Sequence, residues 1–133
     1  MKTWMGFLLI GIFISLGTHA HAQNTTPEKQ IETFMRLSGM RPNAFNGQEF
    51  FTSKHGREWS CASCHTADPT GLGKHAKTGK VIEPMAPEAN PQRFTDTAKT
   101  EKWFRRNCGD VIGRECTPEE KADVLTWLVS LKK

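Results

Sequence analysis

The sequence lacks the features of several large protein classes. Its 133 residues include 18 lysines and arginines against 14 acidic residues, a net charge of +4. These charges do not form the dense basic patch of a nucleic-acid-binding protein. There is no internal repeat, no linker and no strand-like alternation longer than three or four residues. We therefore expect no nucleic-acid partner and a single small domain.

The one long apolar run lies at the N-terminus and has the pattern of an export signal. Lys2 precedes the run WMGFLLIGIFISLG, and Ala20-His21-Ala22 supplies small residues at the cleavage-site spacing. A membrane span needs about 20 apolar residues, more than this run offers. We expect residues 1–22 to be a signal peptide and residues 23–133 to form the exported domain, which is not embedded in the membrane once the signal is cleaved. An uncleaved anchor is the alternative.

Helical spacing predicts an all-α domain. A short amphipathic helix ends at Gly39, and a second is predicted over about 43–54. Gly47 and Phe51 of the second helix are expected to let it cross closely over the terminal helix near Trp127. Residues 66–94 show neither helical nor strand periodicity, and so long an irregular stretch is uncommon in a compact domain. A large flat cofactor would organise it.

Two further helices are predicted in the C-terminal half. The first lies in RFTDTAKTEKWFRRNCG, with Thr95 or Asp96 as its N-cap and Gly109 just beyond its end. The second begins after Thr117, which has proline next and Glu120 three residues on, the pattern of a capping box.

The stretch CASCH at residues 61–65 carries the chemistry. Zinc would need a second ligand pair at a finger spacing, and a thioredoxin-type dithiol would need a βαβ context; neither is present. A disulfide between Cys61 and Cys64 leaves His65 unexplained. Covalent attachment of haem uses all three residues, because two thiols add to the vinyl groups and the adjacent imidazole ligates the iron. The motif therefore predicts one haem c.

The second axial ligand is not fixed by the residues alone. Met85, in a proline-rich loop, is the first candidate, because methionine is a common axial ligand of electron carriers. His55 and His75 would give bis-histidine ligation. As an asparagine at a predicted helix end, Asn107 would ordinarily cap that end.

Two other cysteines, Cys108 and Cys116, flank GDVIGRE. Free thiols are unusual in an oxidising compartment, which favours a disulfide between them. Such a bridge would contribute about 2.5 kcal/mol for a loop of this size.

A longer stretch resembles one family of cytochromes. TGKVIEPMAPEANPQRFTDTAKTEKWFRRNCGDVIGRECTPEEKADVLTWL, together with CASCH, is similar to the SHP (sphaeroides haem protein) family of monohaem cytochromes c, over residues from about 44 to 131. The resemblance implies a cytochrome c class I-like fold of about four helices wrapped around one covalently bound, high-spin haem. It also implies His65 and Asn107 as the axial ligands and a disulfide between Cys108 and Cys116.

The ligand set implies a function. A neutral amide oxygen is a weak, hard donor that suits ferric better than ferrous iron. Asn107 is therefore expected to leave on reduction, so that O₂, NO or CO can bind. We expect a periplasmic electron carrier rather than an enzyme, whose partners by resemblance are a dihaem cytochrome c and, through it, a membrane cytochrome b. The alternatives are a haem enzyme or sensor acting on oxygen or nitrogen oxides, and an ordinary His/Met electron carrier that uses Met85.

Other residues are assigned weaker roles. Trp103, one helical turn before Asn107, is expected in the haem pocket. Pro84 is expected there too, and its carbonyl or one near Pro69 is expected to orient His65. The haem propionates, or a basic docking face, would involve three arginines: Arg105, Arg106 and Arg114.

Overall fold

The computed structural model describes residues 24–132, so the predicted signal peptide lies outside the described residues. The described chain contains five helices: α1 (Pro27–Ser38), α2 (Ala44–Thr52), the one-turn α3 (Ala62–His65), α4 (Thr97–Ile112) and α5 (Pro118–Ser130). Strands β1 (Gly73–Lys74) and β2 (Val81–Ile82) form an antiparallel hairpin. The all-α prediction is confirmed apart from this hairpin, whose two-residue strands are too short to leave an alternation in the sequence.

The ends of α1 and α5 follow from their capping residues. The Thr117 hydroxyl accepts a hydrogen bond from the Glu120 N–H, and the Glu120 carboxylate accepts one from the Thr117 N–H at 2.8 Å. The predicted capping box is thereby confirmed. Gly39 ends α1 in the left-handed region, at φ 71°, where its N–H donates to the Met35 carbonyl. None of the helices within residues 24–132 is long and apolar enough to cross a membrane.

Helix α4 is longer than the sequence predicts. Asp96 is its N-cap, as one of the two expected positions. The predicted end at Gly109 is wrong: the helix continues to Ile112, and Gly113 forms the C-cap at φ 76°. A glycine inside a helix costs only about 1 kcal/mol, and the buried Cys108 and Val111 hold this turn against the domain. Asn107 consequently lies inside the helix rather than at its end.

The core is built around α5. One buried cluster joins Phe51 of α2 to Val124, Trp127 and Leu128, and a second joins Phe34 of α1 to Ala122 and Leu125. Leu125 and Leu128 are fully buried. Helices α1 and α2 therefore both pack on α5, which leaves α3, the hairpin and α4 to enclose a separate space.

Gly47 brings α2 against the backbone of α5. A Cβ at this position would overlap the Asp123 carbonyl oxygen and lie 2.8 Å from the Val124 nitrogen. Beside this contact, the Asn43 N–H donates to the Asp123 carboxylate at 2.6 Å. The Phe51 and Trp127 ring centroids are 5.0 Å apart, so the predicted close crossing near Trp127 is confirmed.

Gly47→Ala is expected to destabilise the protein by about 3 kcal/mol, because a methyl group there must force two helix backbones apart. The free energy of unfolding, measured by denaturant titration of the haem-containing protein, checks this. Gly109→Ala is the matched control. A Cβ at Gly109 meets nothing within 4 Å, so alanine there should raise the free energy of unfolding by about 0.5–1 kcal/mol. Equal effects of the two variants would contradict the crossing described above.

Candidate haem site

A cavity of about 590 Å³ lies between α3, the hairpin, the segment 83–94 and α4. Its wall is mostly apolar, and Phe51, Val124 and Leu128 of the core reach it from behind. The volume falls within the roughly 300–1,000 Å³ of cofactor sites. The irregular stretch predicted at residues 66–94 therefore forms a large part of a cofactor-sized wall.

Helix α3 places the CASCH motif on this wall. The His65 N–H donates to the Cys61 carbonyl at 3.0 Å, which closes a single helical turn. The turn brings Cys61, Cys64 and His65 to the cavity together. Gly73 of β1 lies against the Cys64 carbonyl, where a Cβ would overlap that oxygen. The hairpin therefore supports α3 at close range.

The His65 imidazole has the properties of a metal ligand. Its Nδ1 is buried and has no hydrogen-bond partner within residues 24–132, so Nε2 is the ring nitrogen with access to the cavity. Burial lowers the pKa of His65 to about 4, and the positive charge of Arg93 acts in the same direction. The imidazole is therefore neutral at physiological pH, as iron ligation requires.

The predicted backbone support for His65 is wrong. The Pro84 carbonyl accepts hydrogen bonds from Arg93 Nε at 2.7 Å and from Asn90 Nδ2 at 3.4 Å. The Pro69 carbonyl accepts from the N–H groups of Met85 and Ala86. Both acceptor lone pairs of each carbonyl are thus used elsewhere. Pro84 itself is absent from the described cavity lining, although Glu83 and Met85 on either side are part of it.

One face of α4 forms another wall of the cavity. Its lining residues recur at helical spacing and include Thr100, Trp103, Phe104, Asn107 and Val111. Asn107 is half-buried there, and its amide makes no hydrogen bond within the described chain. Trp103 lies at the cavity as expected, but 43% of its surface is exposed, and Arg106 lies over its ring at 5.2 Å.

A disulfide joins Cys108 to Cys116, with their Cα atoms 5.6 Å apart. Both half-cystines are buried and line the cavity. The bridge connects the turn of α4 that follows Asn107 to the residue before the α5 N-cap. The backbone of Asn107 is therefore tied to the core helix by a covalent link one residue away.

The sequence is similar to that of known c-type cytochromes. A family model described as "Domain of unknown function (DUF1924)" matches residues 37–128. The chain is 46% identical to the cytochrome c-type protein SHP of Cereibacter sphaeroides, over 84% of this chain and 88% of that protein. It is 36% identical to cytochrome c'' of Methylophilus methylotrophus, over 94% of each. The chain belongs to the SHP family of c-type cytochromes.

Solved structures agree. The structure of oxidised SHP, described as an oxygen-binding cytochrome c, matches with a TM-score of 0.76 at 45% identity, over 80% of this chain and 98% of that one. The solution structure of cytochrome c'', described as giving insight into haem-ligand detachment, matches with a TM-score of 0.72 at 37% identity, over 80% and 94%. The fold of this SHP-family cytochrome is the predicted class I-like cytochrome c fold.

The SHP-family cytochrome carries a covalently bound haem c, and its own residues fit that group. The thiols of Cys61 and Cys64 are free in the structure, and both residues line the cavity, so they would hold haem c through two thioether bonds. Burial raises the pKa of the Cys61 thiol to about 11, so Cys61 presents a neutral S–H group. His65 lines the same, mostly apolar cavity.

The two histidines considered as the second axial ligand of the SHP-family cytochrome, His55 and His75, both have hydrogen-bond partners within residues 24–132, unlike the Asn107 amide. His55 Nε2 bonds to the Phe50 carbonyl at 2.8 Å, and His55 is not among the described lining residues. His75 lines the cavity but is exposed, and its Nδ1 accepts from the N–H groups of Lys77 and Thr78. These bonds hold His75 to its own turn.

Met85 also lines the cavity, and its side chain is partly buried. It packs on the cluster of Phe51 and Trp127, and the Phe51 ring centroid is 6.1 Å from that of His65. The Met85 N–H bond to Pro69 fixes the loop in this place.

Sequence reasoning missed Arg93, which is partly buried in the cavity wall. Burial lowers the pKa of Arg93, while the nearby Glu83 raises it. No pattern in the sequence distinguishes it from the other arginines, because its position depends on the tertiary path of the segment 83–94. Its neighbour Phe94, at φ 59°, also lines the cavity and was not singled out.

Proposed function

We propose that this SHP-family cytochrome is a periplasmic electron carrier whose haem is held by His65 on one side and weakly by Asn107 on the other. When bound, haem c supplies one-electron redox chemistry and an axial position for a small ligand. The observation that carries the proposal is the Asn107 amide, which lies on the cavity face of α4 without a hydrogen-bond partner in the described chain.

The residues around Asn107 support a weak but well-placed ligand. An amide oxygen is neutral and hard, so it binds ferric iron modestly and ferrous iron poorly. Helix α4 and the Cys108–Cys116 disulfide hold the Asn107 backbone in place. The Asn107 side chain is then the part that moves: it binds in the high-spin ferric state and swings away on reduction, leaving room for O₂, NO or CO.

The descriptions of two relatives support the release of an axial ligand and the binding of a small gas molecule. One is described as an oxygen-binding cytochrome c, and the other is described in connection with haem-ligand detachment. We extend these properties to this chain through Asn107. The electron partners follow from the family resemblance: a dihaem cytochrome c, linked to a membrane cytochrome b. Reduction by a purified dihaem cytochrome c, followed by stopped-flow absorbance, checks the partnership; second-order reduction no faster than with an unrelated cytochrome would rule it out.

Replacement of Asn107 by alanine tests the ligand. We expect the ferric spectrum of Asn107→Ala to change and its apparent affinity for cyanide to rise about tenfold or more, because no internal ligand has to be displaced. In the ferrous state we expect CO affinity to change by less than about threefold, since the amide has already left. Equilibrium titrations of both oxidation states measure these changes.

Asn90→Ala is the matched control. Asn90 also lines the cavity, but its amide bonds to the Pro84 carbonyl and accepts from the Gln92 N–H. Its ferric spectrum and cyanide affinity should remain those of the parent. An unchanged ferric spectrum in Asn107→Ala would identify Met85 or a histidine as the ligand. A large rise in ferrous CO affinity would show that Asn107 stays bound after reduction.

A further inference from the structure

We infer that Arg93 anchors a haem propionate. Five lysines and arginines line the cavity: Lys77, Lys80, Arg93, Lys99 and Arg106. Of these, only Arg93 is partly buried; the other four are exposed. The inference concerns the resident haem c and does not depend on Asn107 as a ligand.

The hydrogen bonds of Arg93 fix its guanidinium, but no carboxylate of residues 24–132 touches it; the Glu83 carboxylate acts on its charge from beyond ion-pair distance. Arg93 Nε donates to the Pro84 carbonyl at 2.7 Å, and Nη2 donates to the Glu83 carbonyl at 2.6 Å. Both acceptors are neutral, and they use two of the five N–H donors. Within the described chain, no carboxylate lies within ion-pair distance of Arg93. An anion in the cavity would stabilise this partly buried cation, and a propionate is the anion that haem c brings there.

The arginines expected from the sequence are less suitable. Arg105 and Arg114 are not among the described lining residues, and Arg114 makes two hydrogen bonds to the Glu120 carboxylate, at 2.8 and 2.6 Å. Arg106 does line the cavity, but it is exposed and lies over the Trp103 ring. Arg106 is therefore the rival that an experiment must distinguish from Arg93.

The proposed contact has a consequence for the redox centre. Arg93 and His65 line the same cavity, so the Arg93 charge would act on a haem bound there. A positive charge near the haem disfavours the ferric state, whose net charge is higher by one. Arg93 thus both orients the haem and raises its reduction potential, while its bonds to Glu83 and Pro84 connect the propionate to the Met85 loop.

The test compares two substitutions at Arg93 by resonance Raman spectroscopy and redox titration. We expect Arg93→Gln to shift the propionate bending mode and to lower the reduction equilibrium constant about tenfold, or ~59 mV for one electron. Arg93→Lys should retain most of the potential but shift the same Raman mode, because a point charge replaces the planar fork. If Arg93→Gln does not yield folded protein, the propionate bending mode of Arg93→Lys is the test: a shift supports the contact with Arg93, and an unchanged mode contradicts it.

Arg105→Gln is the control for the loss of one positive charge on the surface, and it should change neither the Raman mode nor the potential. Arg106→Gln tests the rival. A propionate mode that moves in Arg106→Gln and stays fixed in both Arg93 variants would overturn the inference. So would an Arg93→Gln protein with lower stability but unchanged mode and potential, because Arg93 would then only brace the 83–84 backbone.

Discussion

Cys61→Ala/Cys64→Ala is expected to abolish covalent haem and, with it, most of the folded structure. No haem-stained band should remain on a denaturing gel, and the far-UV circular dichroism of the purified chain should lose most of its helical signal. Intact mass spectrometry should give the mass of the bare polypeptide. This is the largest effect that we predict.

The reason lies in the size of the cavity relative to the stability of a small domain. Without haem, the mostly apolar wall of a cavity of about 590 Å³ faces water. Leaving some hundreds of Å² of apolar surface in water costs several kcal/mol, at about 25 cal/mol per Å². That is comparable to the roughly 5–15 kcal/mol that stabilises a typical domain. The core clusters on α5 cannot offset such a loss, so the haem is part of what holds the fold.

The second cysteine pair provides the control for this experiment. Cys108→Ala/Cys116→Ala also replaces two cavity-lining cysteines, but it leaves the CASCH motif intact. It should keep a haem-stained band of normal intensity. Covalent haem that persists in Cys61→Ala/Cys64→Ala would remove these residues from the attachment site.

Cys108→Ala/Cys116→Ala is expected to lower the free energy of unfolding by about 2.5 kcal/mol, the chain-entropy value for a loop of this size. For a domain of about 110 residues this corresponds to a fall of roughly 10 °C in Tm. Ferric cyanide affinity should rise as well, because α4 is then free to shift and Asn107 is held less firmly. Calorimetry of the haem-containing protein and a cyanide titration measure the two effects.

The choice of alanine separates the lost bridge from a polarity effect. Both sulfur atoms belong to buried residues, so serine would add the cost of buried hydroxyl groups, about 1–3 kcal/mol for each one without a partner. The serine double variant should therefore be the less stable of the two. An unchanged Tm in the alanine variant would contradict the prediction, because it would mean that the disulfide adds nothing to the free energy of unfolding.

The features predicted correctly from the sequence are those that a short stretch of residues indicates. The cap of α5 depends on Thr117, Pro118 and Glu120, which are neighbours in the chain, and the structure reproduces it. CASCH acts within one helical turn. The crossing of α2 over α5 was also predicted, because a glycine among apolar residues in a helix indicates close backbone approach. For the cap and for CASCH, the residues that decide the geometry lie within a few positions of one another. For the crossing, Gly47 is the local signal, while Asp123 and Val124, against which it packs, lie far along the chain.

Two predictions were wrong: the end of α4, for which the sequence offers two glycines, and the partner of the Pro84 carbonyl, which lies in a distant segment. Either Gly109 or Gly113 could end α4. The helix continues to Gly113 because Cys108 and Val111 are buried against the rest of the domain. The Pro84 carbonyl, one of the two alternatives expected to orient His65, is bonded to Arg93 and Asn90 instead. Those contacts follow from the path of the segment 83–94, which has no periodicity to predict it.

For the ligation that we propose, the position of Asn107 inside α4 has a kinetic consequence. Its backbone N–H and carbonyl lie in the regular part of a helix that extends five residues further, to Ile112, so no loop has to open for its amide to move away. Departure of this half-buried side chain requires only rotation about χ1 and χ2, a change that takes picoseconds to nanoseconds in exposed residues. The strength of the iron–oxygen bond, rather than any rearrangement of the polypeptide, would then set the rate of ligand exchange.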